Sequence, residues 1–353
     1  MTRLASDHAH RVVGLYGDPT VSWSILLEAD LAAAAPEPEK LRARLAAAIQ
    51  QYPHLGAVPG IERADDLPAV RDRFAAQPYE RTEPLVRVAV RADPATVLVA
   101  AHHGALDGLG LLALLGILLD VPVSSAATGI GARGGGKPFL VSAVQRLAEA
   151  LFAPPGRIVP DRAVPSTGDV FAARDEPRLR LGAPGFVTAA ARATERWNRA
   201  HGARTARVVA ALGASRRSGA APEPVHDSAF FRLPLGSRAA DVAALLRTQP
   251  PEPDFPARSS RVARLGTRLL AGRLGSTFLV SNLGLVSTAD TVRALAFYPA
   301  ASGRSGVAFG AATTGGTTTV TVRARRRDFD APAAVRLLAE FADAVRDQVS
   351  PTS

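Results

Sequence analysis

The chain has 353 residues, 47% hydrophobic and 21% charged, which is enough apolar material for one large core or two ordinary ones and too much for wholesale disorder. Lys and Arg outnumber Asp and Glu by 42 to 32, so an acidic or phosphorylated partner would be attracted. There is no cysteine, which excludes disulfides, thiolate zinc sites, iron–sulfur ligation and a cysteine nucleophile.

Val21 to Leu27 reads as a short apolar strand. After the Pro36/Pro38 turn, Leu41, Leu45 and Ala48/Ile49 recur at helical spacing, predicting a helix over 41–49 that Pro53 stops. Leu85 to Val90 alternates like a half-buried strand, and Asp93-Pro94 marks the turn that follows. Thr96 to Ala101 is an unbroken apolar strand of the kind buried on both faces. It runs into His102 and His103, and a helix follows over 108–119.

Between 121 and 177 two punctuated stretches flank an amphipathic helix, Phe139 to Phe152. The first, SSAATGIGARGGGKP, is rich in Gly and Ser. The second, APPGRIVPDRAVPSTGD, is rich in Pro and reads as a linker. These stretches divide the chain into an N-terminal lobe (1–152), a linker (153–177) and a C-terminal lobe (178–353). The second half predicts helices over 188–200, 205–212 and 239–247, and strands over 229–235, 278–281, 306–309 and 317–323. A closing helix over 332–349 carries Val335, Leu338, Phe341, Ala342 and Val345 as its apolar positions. No fixed-period repeat is visible. The fold class expected is α/β (α+β), two lobes of mixed sheet and helix.

The segment Ala101-His102-His103-Gly104-Ala105-Leu106-Asp107-Gly108 holds the chemistry. A strand end at a turn opens onto a crevice, and imidazole can accept and return a proton near neutral pH. Successive strand residues point in opposite directions, so one histidine faces a cavity and the other is structural. Asp107 is placed to cap the following helix or to pair with an arginine, and Gly104 and Gly108 permit the bend. On residue types alone, His102, His103 and Asp107 also compose a two-histidine, one-carboxylate metal set, although adjacent histidines splay apart.

The stretch PLVRVAVRADPATVLVAAHHGALDGLGLLALLGILL, residues 84–119, resembles the core of the CoA-dependent acyltransferase superfamily, which includes chloramphenicol acetyltransferase and the condensation domains of peptide synthetases. His102, His103, Asp107 and Gly108 match every fixed position of its HHxxxDG motif. Other pieces follow in family order. LRARLAAAIQQYPHL (41–55) resembles the first helix, with Tyr52-Pro53 where the family has His-Pro. LPLGSR (233–238) resembles the "PVxxR" strand, and FLVSNLG (278–284) the segment that crosses toward the tunnel.

The resemblance implies two chloramphenicol-acetyltransferase-like lobes, each a mixed sheet covered by helices, with a substrate tunnel between them. His103 would be the general base and His102 would support the loop or line the tunnel entrance. Asp107 would pair with Arg238, Gly108 would complete the motif, and Ser281 or Asn282 would line the tunnel or bind an oxyanion. The implied activity moves an acyl group from a CoA or carrier-protein thioester to a hydroxyl or amine of a small-molecule acceptor, without an acyl-enzyme. No resident cofactor or metal is implied; acyl-CoA or a phosphopantetheinyl carrier thioester is co-substrate, and a separate acyl or peptidyl carrier protein is the implied partner. Amide-forming condensation of carrier-bound substrates and a silent carrier-binding module are the alternatives. The chain is short for a condensation domain, which leaves a lid over the tunnel open to question.

Other motifs carry less. GARGGGK (131–137) matches the start of a phosphate-binding loop, but Pro138 stands where the Mg²⁺-binding Ser/Thr belongs. His226-Asp227-Ser228 resembles a carrier attachment serine only superficially, and no G-x-S-x-G elbow exists. His8, His10, His54 and His201 show no visible partner, and Trp23 and Trp197 read as packing residues. Nearly all positive charge is arginine, with Lys40 and Lys137 the only lysines; Arg323 to Arg327 is the one tight cluster. No nucleic-acid reader motif accompanies it. The N-terminus lacks a signal-peptide core, and the apolar run Leu109 to Leu119 falls short of the roughly 20 residues of a membrane span. The expectation is a cytoplasmic, free-standing protein.

Overall fold

The computed structural model describes residues 23–79, 84–131, 133, 136, 138–236, 241–253 and 275–349. In the first half these form β1 (Ser24–Leu31), α1 (Pro38–Gln51), β2 (Ile61–Arg63), α2 (Leu67–Ala76), β3 (Val86–Arg91), β4 (Thr96–His102), α3 (Gly108–Leu119), β5 (Ser124–Ser125) and α4 (Phe139–Phe152). The second half supplies β6 (Asp169–Pro177), α5 (Ala183–Ala200), β7 (Val208–Ser215), β8 (Ser228–Leu235), α6 (Val242–Thr248), β9 (Phe278–Ser287), β10 (Val292–Tyr298), β11 (Val307–Thr314), β12 (Thr317–Arg325) and α7 (Ala331–Val349).

The first sheet runs β10-β1-β4-β3-β2. β4 is buried along its whole length, which is why its sequence is an apolar run rather than an alternation. Its side chains alternate between two faces: Val97, Val99 and Ala101 pack with the leucines of α1 and α3, while Leu98 and Ala100 meet Phe74 of α2 and Tyr298. α3 is apolar all round because it is enclosed all round; among its residues only Gly108 and Ile117 escape full burial.

The second sheet runs β6-β12-β11-β9-β7-β8, with β5 paired to β9. β9 is parallel to both β7 and β11, and the remaining pairs are antiparallel. α5 and α7 cover one face over a core that includes Phe186, Trp197, Phe309 and Phe341. The two-lobe, mixed-sheet architecture expected from the sequence is present. No helix among the described residues is long and apolar enough to cross a membrane.

Several elements differ from the sequence reading. The helix expected over 205–212 is strand β7. Val208, Ala210 and Leu212 enter the core while β8 and β9 take the backbone hydrogen bonds, so pairing overrides an ambiguous apolar run. The expected linker over 153–177 ends in β6, the edge strand registered on β12 from Asp169 to Pro177. The stretch before β6 is pinned: Trp197 Nε1 donates to the Val159 carbonyl at 2.9 Å, and Asn198 Nδ2 to that of Arg157 at 2.9 Å. β10, which sequence reading missed, leaves the second half of the chain to pair with β1 in the first sheet. α2 and β2 likewise have no counterpart in the sequence reading. Val21, Ser22, Ala239 and Ala240, at the starts of two expected elements, lie outside the described residues.

The lobes are tied by an arginine from the basic cluster. Arg323 on β12 is 1% exposed. It grips Asp169 through Nε at 2.7 Å and Nη2 at 2.6 Å, and donates to the Ser24 carbonyl of β1. The cluster is therefore largely spent inside the molecule: Arg325 is buried too, and Arg326 pairs with Asp72 at 2.8 Å. Replacing Arg323 with Met is expected to cost about 3–5 kcal/mol, because it strands one half of a buried ion pair. Urea unfolding checks this, and a loss below about 1 kcal/mol would show that the contact ties nothing together.

Candidate active site

Ser24 is the residue of β1 that pairs with His102 at the end of β4. One step on, His103 N–H donates to the Trp23 carbonyl at 2.8 Å, so the chain leaves the sheet with the two imidazoles on opposite sides. His102 turns inward. It is 2% exposed, its Nδ1 accepts from Gly104 N–H at 3.0 Å, and its ring meets Tyr79 edge-on. Burial, helped by the neighbouring charges of His103 and Arg87, pushes its pKa down to about 3. It is a neutral strut for the loop.

His103 turns the other way, into a cavity of about 490 Å³ between the lobes. The first lobe contributes Trp23, Ile25 and Gly108 to the walls, and the second contributes Phe230, Ser281 and Asn282. Nδ1 of His103 lies 3.2 Å from the Leu106 carbonyl. A carbonyl only accepts, so Nδ1 carries the proton and the basic lone pair is on Nε2. Burial lowers the pKa of His103, opposed by the Leu106 carbonyl and the charge of Asp107. The ring is therefore a neutral base at pH 7. Phe230 and His226 meet it edge-on, with centroids at 5.7 and 5.1 Å.

Asp107 lies at the edge of the same cavity, and both of its oxygens are engaged in organising the loop. One oxygen caps α3 by accepting from Gly110 N–H at 2.7 Å, and the other accepts from Asp227 N–H at 2.9 Å. Its guanidinium partner among the described residues is Arg217, with Nη2 at 3.4 Å from both carboxylate oxygens. Arg217 also donates to the Glu223 and Val225 carbonyls at 3.2 and 3.1 Å. Arg238, the expected partner, lies outside the described residues. A Cβ on Gly110 would sit 2.3 Å from the Val225 carbonyl oxygen, so glycine is required where α3 starts against this second-lobe loop.

On β9, Asn282 Oδ1 accepts from Gly284 N–H at 2.8 Å. This fixes the amide orientation and leaves Nδ2 as a donor with no other partner among the described residues. Ser281 Oγ lies 3.6 Å from where Gly213 would carry a Cβ. The structure thus brings His103, Asp107, Gly108, Ser281 and Asn282 to one cavity, with His102 behind it. Sequence reasoning missed Arg217, Phe230 and His226. Nothing local marks Arg217, whose partner is 110 residues away in the chain, and His226 stands out in the sequence only as part of a false carrier motif. The phosphate-loop look-alike lies largely outside the described residues.

No family model matches the chain, and no curated protein matches it. Solved structures do. The first condensation domain of the calcium-dependent antibiotic synthetase, in complex with a substrate analogue, aligns at TM-score 0.61 and 15% identity over 99% of this chain and 96% of that one. A mutant starter condensation domain of rhizomide synthetase RzmA, in complex with C8-CoA and Leu-SNAC, aligns at TM-score 0.59 and 17% identity, covering 96% and 92%. The EpoB NRPS cyclization-docking bidomain from Sorangium cellulosum aligns at 0.57 and 13%, covering 98% and 84%. The fold of this chain is similar to that of condensation domains.

Two outcomes follow from the geometry. Asp107→Ala and Arg217→Met are expected to be coupled by at least about 1 kcal/mol in a double-mutant cycle read by urea unfolding, since they share one buried contact; strict additivity would dissolve the pair. The second concerns pH. Unfolded His102 binds a proton near its ordinary value of 6.5, and the folded residue only near 3. Between those values the unfolded state holds the extra proton, so stability falls as pH drops, by up to about 1.4 kcal/mol per pH unit. His102→Gln should flatten the slope of unfolding free energy against pH by roughly that amount in this window. An unchanged slope would mean that His102 is protonated in the native protein.

Proposed function

We propose that this protein is an acyltransferase that moves an acyl group from a CoA or carrier-protein thioester to a hydroxyl or amine, with His103 as general base. The observation that supports it most is the His103 ring itself: held neutral, its Nδ1 proton tied to Leu106 and its side chain facing a cavity between lobes. A condensation-domain fold crystallised elsewhere with C8-CoA and Leu-SNAC supports a thioester donor and an amine acceptor. Amide-forming condensation is the same chemistry with the amine as nucleophile.

In this reading the acceptor O–H or N–H gives its proton to Nε2 of His103 as its heteroatom attacks the thioester carbonyl. The tetrahedral oxyanion takes a hydrogen bond from Asn282 Nδ2. Collapse breaks the C–S bond, and the imidazolium returns the proton to the departing sulfur, leaving free thiol and ester or amide. No acyl-enzyme forms, because the cavity holds both substrates at once and removes much of the entropic barrier. Asp107 takes no proton; it keeps the loop in place through Arg217 and α3.

His103→Ala is expected to lower kcat roughly 100- to 10,000-fold with an acyl-CoA donor and an amine or alcohol acceptor, the range of general-base catalysis. Near wild-type turnover in that variant would remove the assignment. Asn282→Ala should reduce kcat by about 100-fold with little change in KM. The acid limb of kcat/KM should fall below the ordinary histidine value of 6.5, since burial lowers the His103 pKa. A limb at or above that value would mean that the titrating base is another group.

A further inference from the structure

The face of the β7–β8 hairpin that turns Gly213 and Phe230 toward the cavity continues, two residues further along each strand, with Ala211 and Arg232, and then with Val209 and Pro234. There it meets α4, and a second concavity of about 390 Å³ opens, lined by Arg146, Glu149, Arg207, Arg232 and Gln249. Three guanidiniums converge on one carboxylate: Arg146 and Arg232 each reach Glu149 at 2.8 Å, and Arg207 at 3.1 Å. Glu252 takes the other end of Arg146 at 2.6 Å, so among the described residues three positive groups face two negative ones.

The surplus is felt inside the protein. Arg232 is 8% exposed, and its pKa is lowered by burial and next by the charge of Arg146. Nε of Arg146 is a buried donor with no hydrogen-bond partner among the described residues. Arg207 spends one Nη on Glu149 and keeps half its side chain exposed, at 49%. One unmet donor and a net positive charge among the described residues of a concave site call for an anion with several acceptor oxygens, and guanidiniums favour phosphoryl groups in that role.

We infer that the Arg146–Arg207–Arg232 cluster is a phosphate-binding site, taking the phosphoryl group of a phosphate ester or inorganic diphosphate. Strand geometry puts Arg232 about 7 Å beyond Phe230, whose ring touches His103. The phosphoryl group of a substrate arm and a free anion are the two sources of this chemistry. The inference is independent of the acyl-transfer reading, because it concerns anion affinity alone.

Calorimetric titration with inorganic diphosphate, phosphopantetheine and pantetheine tests it. Both phosphorylated probes should bind, and pantetheine should bind at least about tenfold more weakly, the loss expected for one charge-assisted contact. Arg207→Gln, at an exposed side chain that leaves the fold intact, and Arg146→Gln should each weaken diphosphate by about tenfold. Glu149→Gln should tighten it, and added salt should weaken it. Phosphopantetheine binding more tightly than diphosphate would assign the site to a substrate arm; the reverse order would assign it to a free anion. Absence of diphosphate binding at millimolar concentration, or affinities unmoved by Arg207→Gln, would overturn the site. His103→Ala should leave these affinities unchanged, so loss of turnover there and loss of anion binding here report on different claims.

Discussion

The carboxylate of Asp107 is the constraint on which the site depends. It is 2% exposed, and a buried carboxylate survives only if its oxygens are satisfied. Three separate pieces of chain satisfy them: the first turn of α3, the backbone at Asp227, and Arg217. Those contacts join the histidine loop of one lobe to the loop before β8 in the other. The cavity wall opposite His103, with Phe230 next to that loop, is held in register by the same carboxylate. The same carboxylate therefore sets the spacing between His103 and the second-lobe wall of the cavity.

A second tie acts from behind. Arg323 reaches through the interface to the Ser24 carbonyl, and Ser24 is the β1 residue opposite His102. The end of β4 is thus held by β1, and the arginine from the other lobe grips β1 in turn. β10 reinforces the join by crossing from the second half of the chain into the first sheet. Burying guanidiniums in pairs is costly to assemble and severe to break, which suits an interface whose geometry matters more than its strength.

The parts of this design that were legible in the sequence are those whose signal is local. β4 announced itself as an apolar run, α3 as an apolar helix that follows a capping aspartate, and the histidines as polar residues stranded at the end of a buried strand. Where the sequence misled, a distant partner decided the outcome. β7 is rich in alanine and carries the apolar pattern of a helix as well as a strand, and only its pairing with β8 and β9 resolves it. β6 reads as linker because its charged residues lie on an edge strand, where Arg174 and Glu176 pair with each other at 2.8 Å. Asp107 could be read as needing an arginine, but sequence spacing says nothing about which arginine.

That last ambiguity has a physical origin. A guanidinium on a long flexible side chain can reach a fixed carboxylate from several backbone positions, so the requirement falls on the meeting point and not on one residue number. The cap to Gly110 is different: it depends on an N–H a fixed three residues on, and on a glycine that lets the Val225 carbonyl approach. Short-range requirements of that kind leave a motif in the sequence, while long-range ones leave only a charge somewhere else in the chain.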